Sequence, residues 1–143
     1  MTQDPALETF CAFYNKLDKS STKRLPEVYT DDVRFADPLH RVEGIDALIA
    51  YFDALYANLD DCHFDFGERQ RQGDLAFVTW TLHLVHPKLA GSRKVSVTGC
   101  SRLRFRDDRV CDHRDYFDAG ALLYEQIPIL GSVIRGLKKR FVK

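Results

Sequence analysis

The spacing of apolar residues predicts helices in the first part of the chain. Apolar residues recur every three or four positions within residues 4–19, with Asp4 suited to cap the helix and Pro5 suited to its first position. The same pattern predicts a short helix over 22–29 and a strong helix over 44–58.

The second part of the chain instead alternates apolar and polar residues, which is typical of strands joined into an antiparallel meander. Gly73 and Asp74 provide one turn, and Asp107 and Asp108 provide another. We expect a bulge or bend at Gly99, because glycine inside a strand often marks such a site. The predicted strands are 62–71, 75–86, 93–106 and 109–118.

A shorter strand around Phe35 precedes the meander, and Asp37-Pro38 ends or bends it because proline cannot donate to a β-ladder. The elements together predict one α+β domain, with helices first and a curved antiparallel sheet second. We expect this domain to span 1–143, with 119–143 as a C-terminal helical extension.

Side chains alternate between the two faces of a strand, so His113, Asp115 and Phe117 share one face of the last strand. An acid and an imidazole would be unusual on the inner face of a sheet. Asp115 and His113 are therefore candidate functional residues. The alternatives are a salt bridge from Asp115 to an arginine across the sheet, and hydrogen bonds that hold His113 at a pocket rim or dimer surface.

Composition narrows the class of protein. The 143 residues are 45% hydrophobic and 29% charged, which is typical of one globular domain. The 21 basic and 21 acidic residues cancel, so charge does not favour nucleic-acid binding. The N-terminal segment lacks an apolar signal region, and we expect a cytoplasmic protein.

The cysteines and histidines do not form a familiar metal-binding pattern. The four cysteines lack CxxC spacing, and we expect reduced thiols, with Cys100 and Cys111 facing each other across the final hairpin. The five histidines lack HxH and HxxxH spacing, so we predict no metal and no cofactor. His40 and His86 are expected near the mouth of any pocket.

Two segments resemble the nuclear transport factor 2-like (SnoaL-like) cone-fold superfamily, and the element order resembles it over nearly the whole chain. They are YTDDVRFADPLHRVEG at 29–44 and RFRDDRVCDHRDYFD at 104–118. The resemblance implies a conical pocket enclosed by a strongly bent sheet and three helices. Members include isomerases, cyclases, epoxide hydrolases, dehydratases and non-catalytic binding proteins, so the fold does not select a function.

Ketosteroid isomerases within this superfamily carry a proton-shuttling Asp-Pro that Asp37 matches. Tyr14 matches the place of their oxyanion-binding tyrosine on the first helix. Ser101 stands where those enzymes have a protonated aspartate, so the isomerase set is incomplete. Asp37 could instead cap the turn before Pro38, and Tyr14 could be a core residue.

Limonene-epoxide-hydrolase-like proteins end their last strand in a similar RDYFD, whose first aspartate is catalytic and matches Asp115. Their Arg-x-Asp on an earlier strand is missing, because Trp80 and Leu82 stand near that place. SnoaL-type polyketide cyclases use a pocket aspartate as acid/base, which Asp115 with His113 would satisfy.

These comparisons imply a small, largely apolar ligand, such as a lipid, polyketide or steroid-like compound. A catalytic form would transfer protons, with Asp37 as base, Asp115 and His113 as a second acid/base, and Tyr14 as a hydrogen-bond donor to a carbonyl. The residues expected to line the pocket, or to fill the core if the cone is closed, are Phe35, Phe52, Tyr56, Trp80, Ser101, Leu103 and Phe117.

The C-terminal residues 127–143 combine an apolar stripe with five cations and no acid. We expect this helix to cover the pocket mouth or a dimer partner, and the alternative is weak contact with an anionic membrane surface. A non-catalytic adaptor that docks a partner protein or a membrane through this helix is the alternative function. We also expect a homodimer through the outer sheet face, which carries Thr79, Thr81, Thr98, Arg102 and Arg104.

Overall fold

Three α-helices and six strands form the part of the chain that the computed structural model describes, residues 4–57, 59, 61–85, 94–122, 137 and 139–140. No helix among these residues is long and apolar enough to cross a membrane. The elements are α1 Pro5–Lys16, a 3-10 helix Thr22–Glu27, β1 Tyr29–Ala36, β2 Arg41–Glu43, α2 Ile45–Ala57, β3 Asp61–Gln72, β4 Leu75–Val85, β5 Lys94–Arg106, β6 Arg109–Phe117 and α3 Ala119–Leu122.

Helix α1 begins as the sequence predicts. The Asp4 carboxylate accepts a hydrogen bond from the Leu7 backbone N–H at 3.0 Å, and Pro5 occupies the first turn. The α-helix expected over 22–29 is instead a 3-10 helix that ends at Glu27. Tyr29 thereby becomes the first residue of β1 and points a hydroxyl into the protein interior.

The strands form one sheet in the order β2-β1-β6-β5-β4-β3. Strands β3 to β6 form the predicted antiparallel meander, and β1 adds to it by parallel pairing with β6. This pairing sets Phe35 beside His113 and Ala36 beside Arg114. It therefore carries Asp37, which follows β1, towards the part of β6 that holds Asp115.

Helices α1 and α2 cover opposite ends of this sheet, α1 against β3 and α2 against β1. The alternation predicted for β4 is confirmed, because Ala76, Val78 and Trp80 are all buried while the residues between them are exposed. We call the covered face of the sheet the inner face and the opposite face the outer face. The largest fully buried side chains are Tyr29, Phe10, Leu7, Leu25, Leu48, Leu103, Val33, Val78 and Val110.

Three details differ from the sequence-based expectations. Strand β2 was not predicted, because three residues with one apolar side chain form too short a pattern. The register irregularity of β5 lies between Arg104 and Phe105, not at Gly99. Cys100 lies opposite Tyr116, so the expected pairing of Cys100 with Cys111 is wrong.

The four cysteines are free thiols, as expected. His86 lies outside the described residues, and so does nearly all of the predicted helix at 127–143. Its described residues, Leu137, Lys139 and Arg140, are exposed.

Candidate active site

A largely apolar cavity of about 370 Å³ lies between α2 and the inner face of the sheet. Its size falls in the range of small-molecule sites. Asp37 and Asp115, the two acids singled out from the sequence, both line it. The lining residues are Phe35, Asp37, Leu39, His40, Tyr51, Phe52, Leu55, Tyr56, Leu59, Cys62, Phe64, Trp80, Leu82, Leu84, Asp115 and Phe117.

Asp37 uses both of its carboxylate oxygens within the protein. Oδ1 accepts hydrogen bonds from the backbone N–H groups of Leu39 and His40, each at 2.8 Å. Oδ2 accepts the Tyr51 hydroxyl at 2.7 Å. Asp37 therefore has the turn-capping role that is the alternative to a pocket role, and it also forms part of the cavity wall.

The two carboxylate oxygens of Asp115 differ in their hydrogen bonds. Oδ1 is 2.5 Å from the Ser101 hydroxyl and 2.6 Å from His113 Nε2. Among the described residues, no hydrogen-bond donor contacts Oδ2. The Asp115 side chain is 16% exposed, whereas the His113 side chain is 3% exposed. Asp115 thus combines one firmly held oxygen with one that is available at the cavity.

A continuous chain of hydrogen bonds runs through Asp115. Tyr29 Oη is 2.7 Å from His113 Nδ1, and Tyr14 Oη is 2.5 Å from Tyr29 Oη. At the other end, Trp80 Nε1 donates to Ser101 Oγ at 2.8 Å.

With an ionised Asp115 and a neutral His113, the donor inventory assigns a direction to every bond in this chain. An indole N–H only donates, so the Ser101 hydroxyl accepts a hydrogen bond from Trp80 and donates one to Asp115. An ionised Asp115 only accepts, so His113 carries its proton on Nε2. Nδ1 of a neutral His113 then accepts the Tyr29 hydroxyl, and Tyr29 accepts the Tyr14 hydroxyl. Two of these donors, the Ser101 hydroxyl and His113 Nε2–H, converge on Asp115 Oδ1 and fix the orientation of the carboxylate.

The missing side chain at Gly99 allows the Trp80 indole to reach Ser101 and join this chain of hydrogen bonds. Trp80 and Gly99 are opposite each other on neighbouring strands, and a Cβ on Gly99 would come within 2.6 Å of Trp80 Cζ2. No real Cβ tolerates that distance, so the indole lies across β5 only because this residue has no side chain. That position brings its N–H to Ser101, which itself lies opposite Asp115.

The tyrosines near the acids are kept protonated by their surroundings. Burial raises the pKa of Tyr14 and of Tyr29 well above the ordinary value. Burial also raises the pKa of Tyr51, and the hydrogen bond to the Asp37 carboxylate raises it further. All three hydroxyls remain donors at any pH at which the protein would operate.

Five of the seven residues expected to line the pocket lie on the cavity wall, namely Phe35, Phe52, Tyr56, Trp80 and Phe117. Leu103 does not, because it is fully buried between Ala76 and His113. Ser101 also does not line it and lies behind Asp115.

Two of the proposed catalytic residues also lie behind the wall of this cavity. His113 reaches it only through Asp115, and the Tyr14 hydroxyl is occupied by Tyr29. Tyr14 and His113 line, with Asp115, a smaller void of about 10 Å³, and the role of Tyr14 as a donor to a ligand carbonyl stays a prediction.

Sequence reasoning missed Tyr51 and Tyr29. Tyr51 lies on α2 next to Phe52, and its position in the helical pattern does not distinguish it from an ordinary surface aromatic. The sequence pattern places Tyr29 at the end of a helix and not in β1. A polar aromatic immediately before a predicted strand was the available signal for Tyr29, and no comparable local signal marks Tyr51.

Solved structures of several cone-fold proteins superpose on most of the chain. A Shewanella putrefaciens protein proposed to be a SnoaL-like polyketide cyclase aligns with a TM-score of 0.75 and 17% identity over 90% of this chain and 99% of that chain. A Mycobacterium tuberculosis epoxide hydrolase of the limonene-epoxide-hydrolase-like type aligns with a TM-score of 0.70 and 17% identity over 92% of this chain and 96% of that chain. At these identities the likeness shows the fold alone.

A third structure comes from Catenulispora acidiphila. This protein with a ketosteroid isomerase-like fold, solved in complex with trimethylamine, aligns with a TM-score of 0.73 and 14% identity over 87% of this chain and 93% of that chain. No protein of curated function is significantly similar in sequence.

The sequence itself matches the profile of a recognised family. The match to the SnoaL-like domain covers residues 10–113, more than half of the chain, and includes α1 from Phe10 onward, α2 and the sheet as far as His113. The element order, the curled sheet and the cavity against its inner face agree with it. The chain belongs to the SnoaL-like domain family.

Proposed function

We propose that this protein binds a small, largely apolar carbonyl compound in the cavity and catalyses proton transfer on it, as in an isomerisation, cyclisation or dehydration. The observation that supports the proposal most strongly is the hydrogen bonding of the Asp115 carboxylate. Its carboxylate is held through Oδ1 while Oδ2 is available to a cavity lined mainly by aromatic and aliphatic side chains.

Asp115 is the general base in this proposal. Oδ2 takes a proton from a carbon next to the ligand carbonyl, and the electron pair moves into an enolate. The same carboxylic acid then returns the proton to another carbon, or to a departing oxygen in a dehydration. An apolar wall favours this step because it excludes water that would otherwise solvate the carboxylate.

His113 and Ser101 are positioning residues, since they contact Asp115 and not the cavity. Tyr51 is the hydroxyl donor at the cavity wall. In the free protein the Tyr51 hydroxyl donates a hydrogen bond to Asp37. When the ligand binds, the same hydroxyl donates instead to the ligand carbonyl oxygen, where negative charge develops. Asp37 holds Tyr51 in place in the free protein and keeps its two backbone donors when Tyr51 turns to the ligand. The assignment thus gives Asp115 the role that the sequence resemblance implies for Asp37.

Occupancy of the cavity can be measured with 2-decalone, an apolar bicyclic ketone with exchangeable hydrogens beside its carbonyl. Trp80 is the single tryptophan of the chain and lines the cavity, so its fluorescence reports binding. We expect a saturable change, and Leu55→Arg at the cavity wall should abolish it. An unchanged spectrum would reject the ligand-binding proposal.

Proton transfer is measured on the same ketone in D₂O by following loss of its α-hydrogens by proton NMR. We expect exchange that rises in proportion to protein concentration. The same two measurements are then made with a cyclic enone. If both ketones bind saturably but neither shows exchange that depends on the protein, the binding role stands and the catalytic role is rejected.

A further inference from the structure

A second group of polar side chains lies on the outer sheet face, away from the cavity. His63 on β3 pairs directly with His83 on β4, and Asp65 follows two residues after His63 on the same face. Leu82 and Leu84, the neighbours of His83, line the cavity, so His83 projects to the other side of the sheet.

From this group we infer that the outer face carries a binding site for a divalent first-row transition metal, with His63, Asp65 and His83 as protein ligands. One donor atom from each residue lies within 4.8 Å of the other two. Donors bonded at about 2.1 Å to a tetrahedral centre are about 3.4 Å apart, so small movements of these side chains would close the site. His63 and Asp65 are exposed and free to make them.

The contacts of His83 resemble those of a metal-ligating histidine. Nε2 is 2.8 Å from Asp65 Oδ2, and Nδ1 is 2.7 Å from Ser96 Oγ. A metal ion would replace the proton between Nε2 and the carboxylate. Nδ1–H would then donate to Ser96, and such an outer hydrogen bond commonly fixes the tautomer and orientation of a ligating imidazole.

The second imidazole is already aligned with the first. The rings of His63 and His83 stack with centroids 4.8 Å apart and planes 27° from parallel. Strand pairing fixes the backbone that carries both rings, so only side-chain entropy is lost when an ion binds.

The donor set indicates the class of ion. Two imidazoles and one carboxylate suit zinc and its neighbours in the first transition row, whereas calcium and magnesium prefer oxygen ligands alone. Three protein ligands leave at least one coordination position for water or an exogenous group. The two histidines, His63 and His83, are far apart in sequence, which is why histidine spacing predicted no metal.

Isothermal titration of tag-free protein with ZnCl₂ tests the inference, with CoCl₂ absorption spectra as a second readout of coordination. We expect one saturable site that weakens below neutral pH, because protons compete for the imidazoles. His63→Ala, Asp65→Asn and His83→Ala should each weaken binding at least roughly 100-fold, more than the 10–100-fold typical of an outer-shell partner. His40→Ala is the matched control, since His40 is exposed and outside the cluster.

Folding and metal binding can be separated. Thermal unfolding without metal shows whether each variant is folded, and added Zn²⁺ should raise the melting temperature of the wild type and of His40→Ala. Equal Zn²⁺ affinity in wild type and a folded His83→Ala variant would overturn the inference, as would the lack of saturable binding to the wild type.

Discussion

Asp37 and Asp115 lie on the same cavity but differ in how their oxygens are used. Both oxygens of Asp37 accept hydrogen bonds from the protein, so this acid mainly orders a turn and the Tyr51 hydroxyl. Asp115 has both of its donors on Oδ1. A base must have an oxygen that can accept a proton from the ligand, and this difference favours Asp115.

Ser101 connects Trp80 to Asp115, and Ser101→Ala tests that connection. Loss of the hydroxyl removes one donor from Asp115 Oδ1 and the acceptor of the Trp80 indole N–H. We expect the free energy of unfolding to fall by about 1–3 kcal/mol, the usual cost of leaving buried polar groups unpaired. Urea denaturation measures this change.

The same variant should lower the turnover number for 2-decalone exchange more than it raises KM, since Ser101 lies behind Asp115 and not in the cavity. Thr98→Ala, on the exposed face of the same strand, is the control and should change neither quantity appreciably. A Ser101→Ala variant as stable as the control would show that the Trp80–Ser101–Asp115 connection does not exist.

Among individual residues, alternation along β6 was enough to predict that Asp115 and His113 share one face, which the structure shows to be the inner face. It could not predict the partners of Asp115. The contact of Ser101 with Asp115 depends on the register of β5 against β6. The contact of Tyr29 with His113, the other partner of Asp115, depends on parallel pairing of β1 with β6. Those registers are properties of the folded sheet, not of any local pattern.

At the level of elements, the β5–β6 hairpin positions the site, because it sets Ser101 opposite Asp115. Its turn residues Asp107 and Asp108 have φ values of 53° and 67°. A left-handed backbone is costly for residues with a Cβ, and hairpin turns of this kind favour Asn-Gly or Asp-Gly.

Asp108→Gly should therefore stabilise the protein by about 0.5–1 kcal/mol, the relief of left-handed strain less the added flexibility of glycine. The measurement is the urea midpoint, with the denaturant dependence unchanged. Asp74→Gly is the matched control, because Asp74 lies in the other turn but does not have positive φ. Equal effects of the two substitutions would mean that backbone strain at Asp108 is not the cause.

The helices and long strands were predictable because their periodic patterns extend over ten or more residues. Strand β2 was not, since Arg41–Glu43 has only three residues. The bulge predicted at Gly99 is not present in the register of β5. A glycine in a strand signals that another group approaches closely, but the sequence does not identify that group as the Trp80 ring.

For the whole molecule, the outer sheet face remains the predicted surface of a homodimer. Phe77 and Tyr116 project from it and are each 46% exposed, unusual exposure for aromatic residues of that size. We expect sedimentation equilibrium to give twice the chain mass for the wild type.

The double variant Phe77→Glu/Tyr116→Glu should sediment as a monomer, because four like charges would meet across a symmetric interface. Asp74→Asn, which alters an exposed turn, is the control and should remain dimeric. A wild-type monomer at micromolar concentration, or a double variant that stays dimeric, would contradict this prediction.

The central claim is that Asp115 is the base for proton transfer in the cavity, and exchange of the α-hydrogens of 2-decalone by Asp115→Asn tests it most directly. Asparagine has nearly the same shape but cannot accept the proton, so we predict that the exchange rate falls by roughly 100-fold or more while Trp80 fluorescence still reports binding. The control variant Asp74→Asn should catalyse exchange of the 2-decalone α-hydrogens at the wild-type rate. Exchange by Asp115→Asn at the wild-type rate would contradict the account.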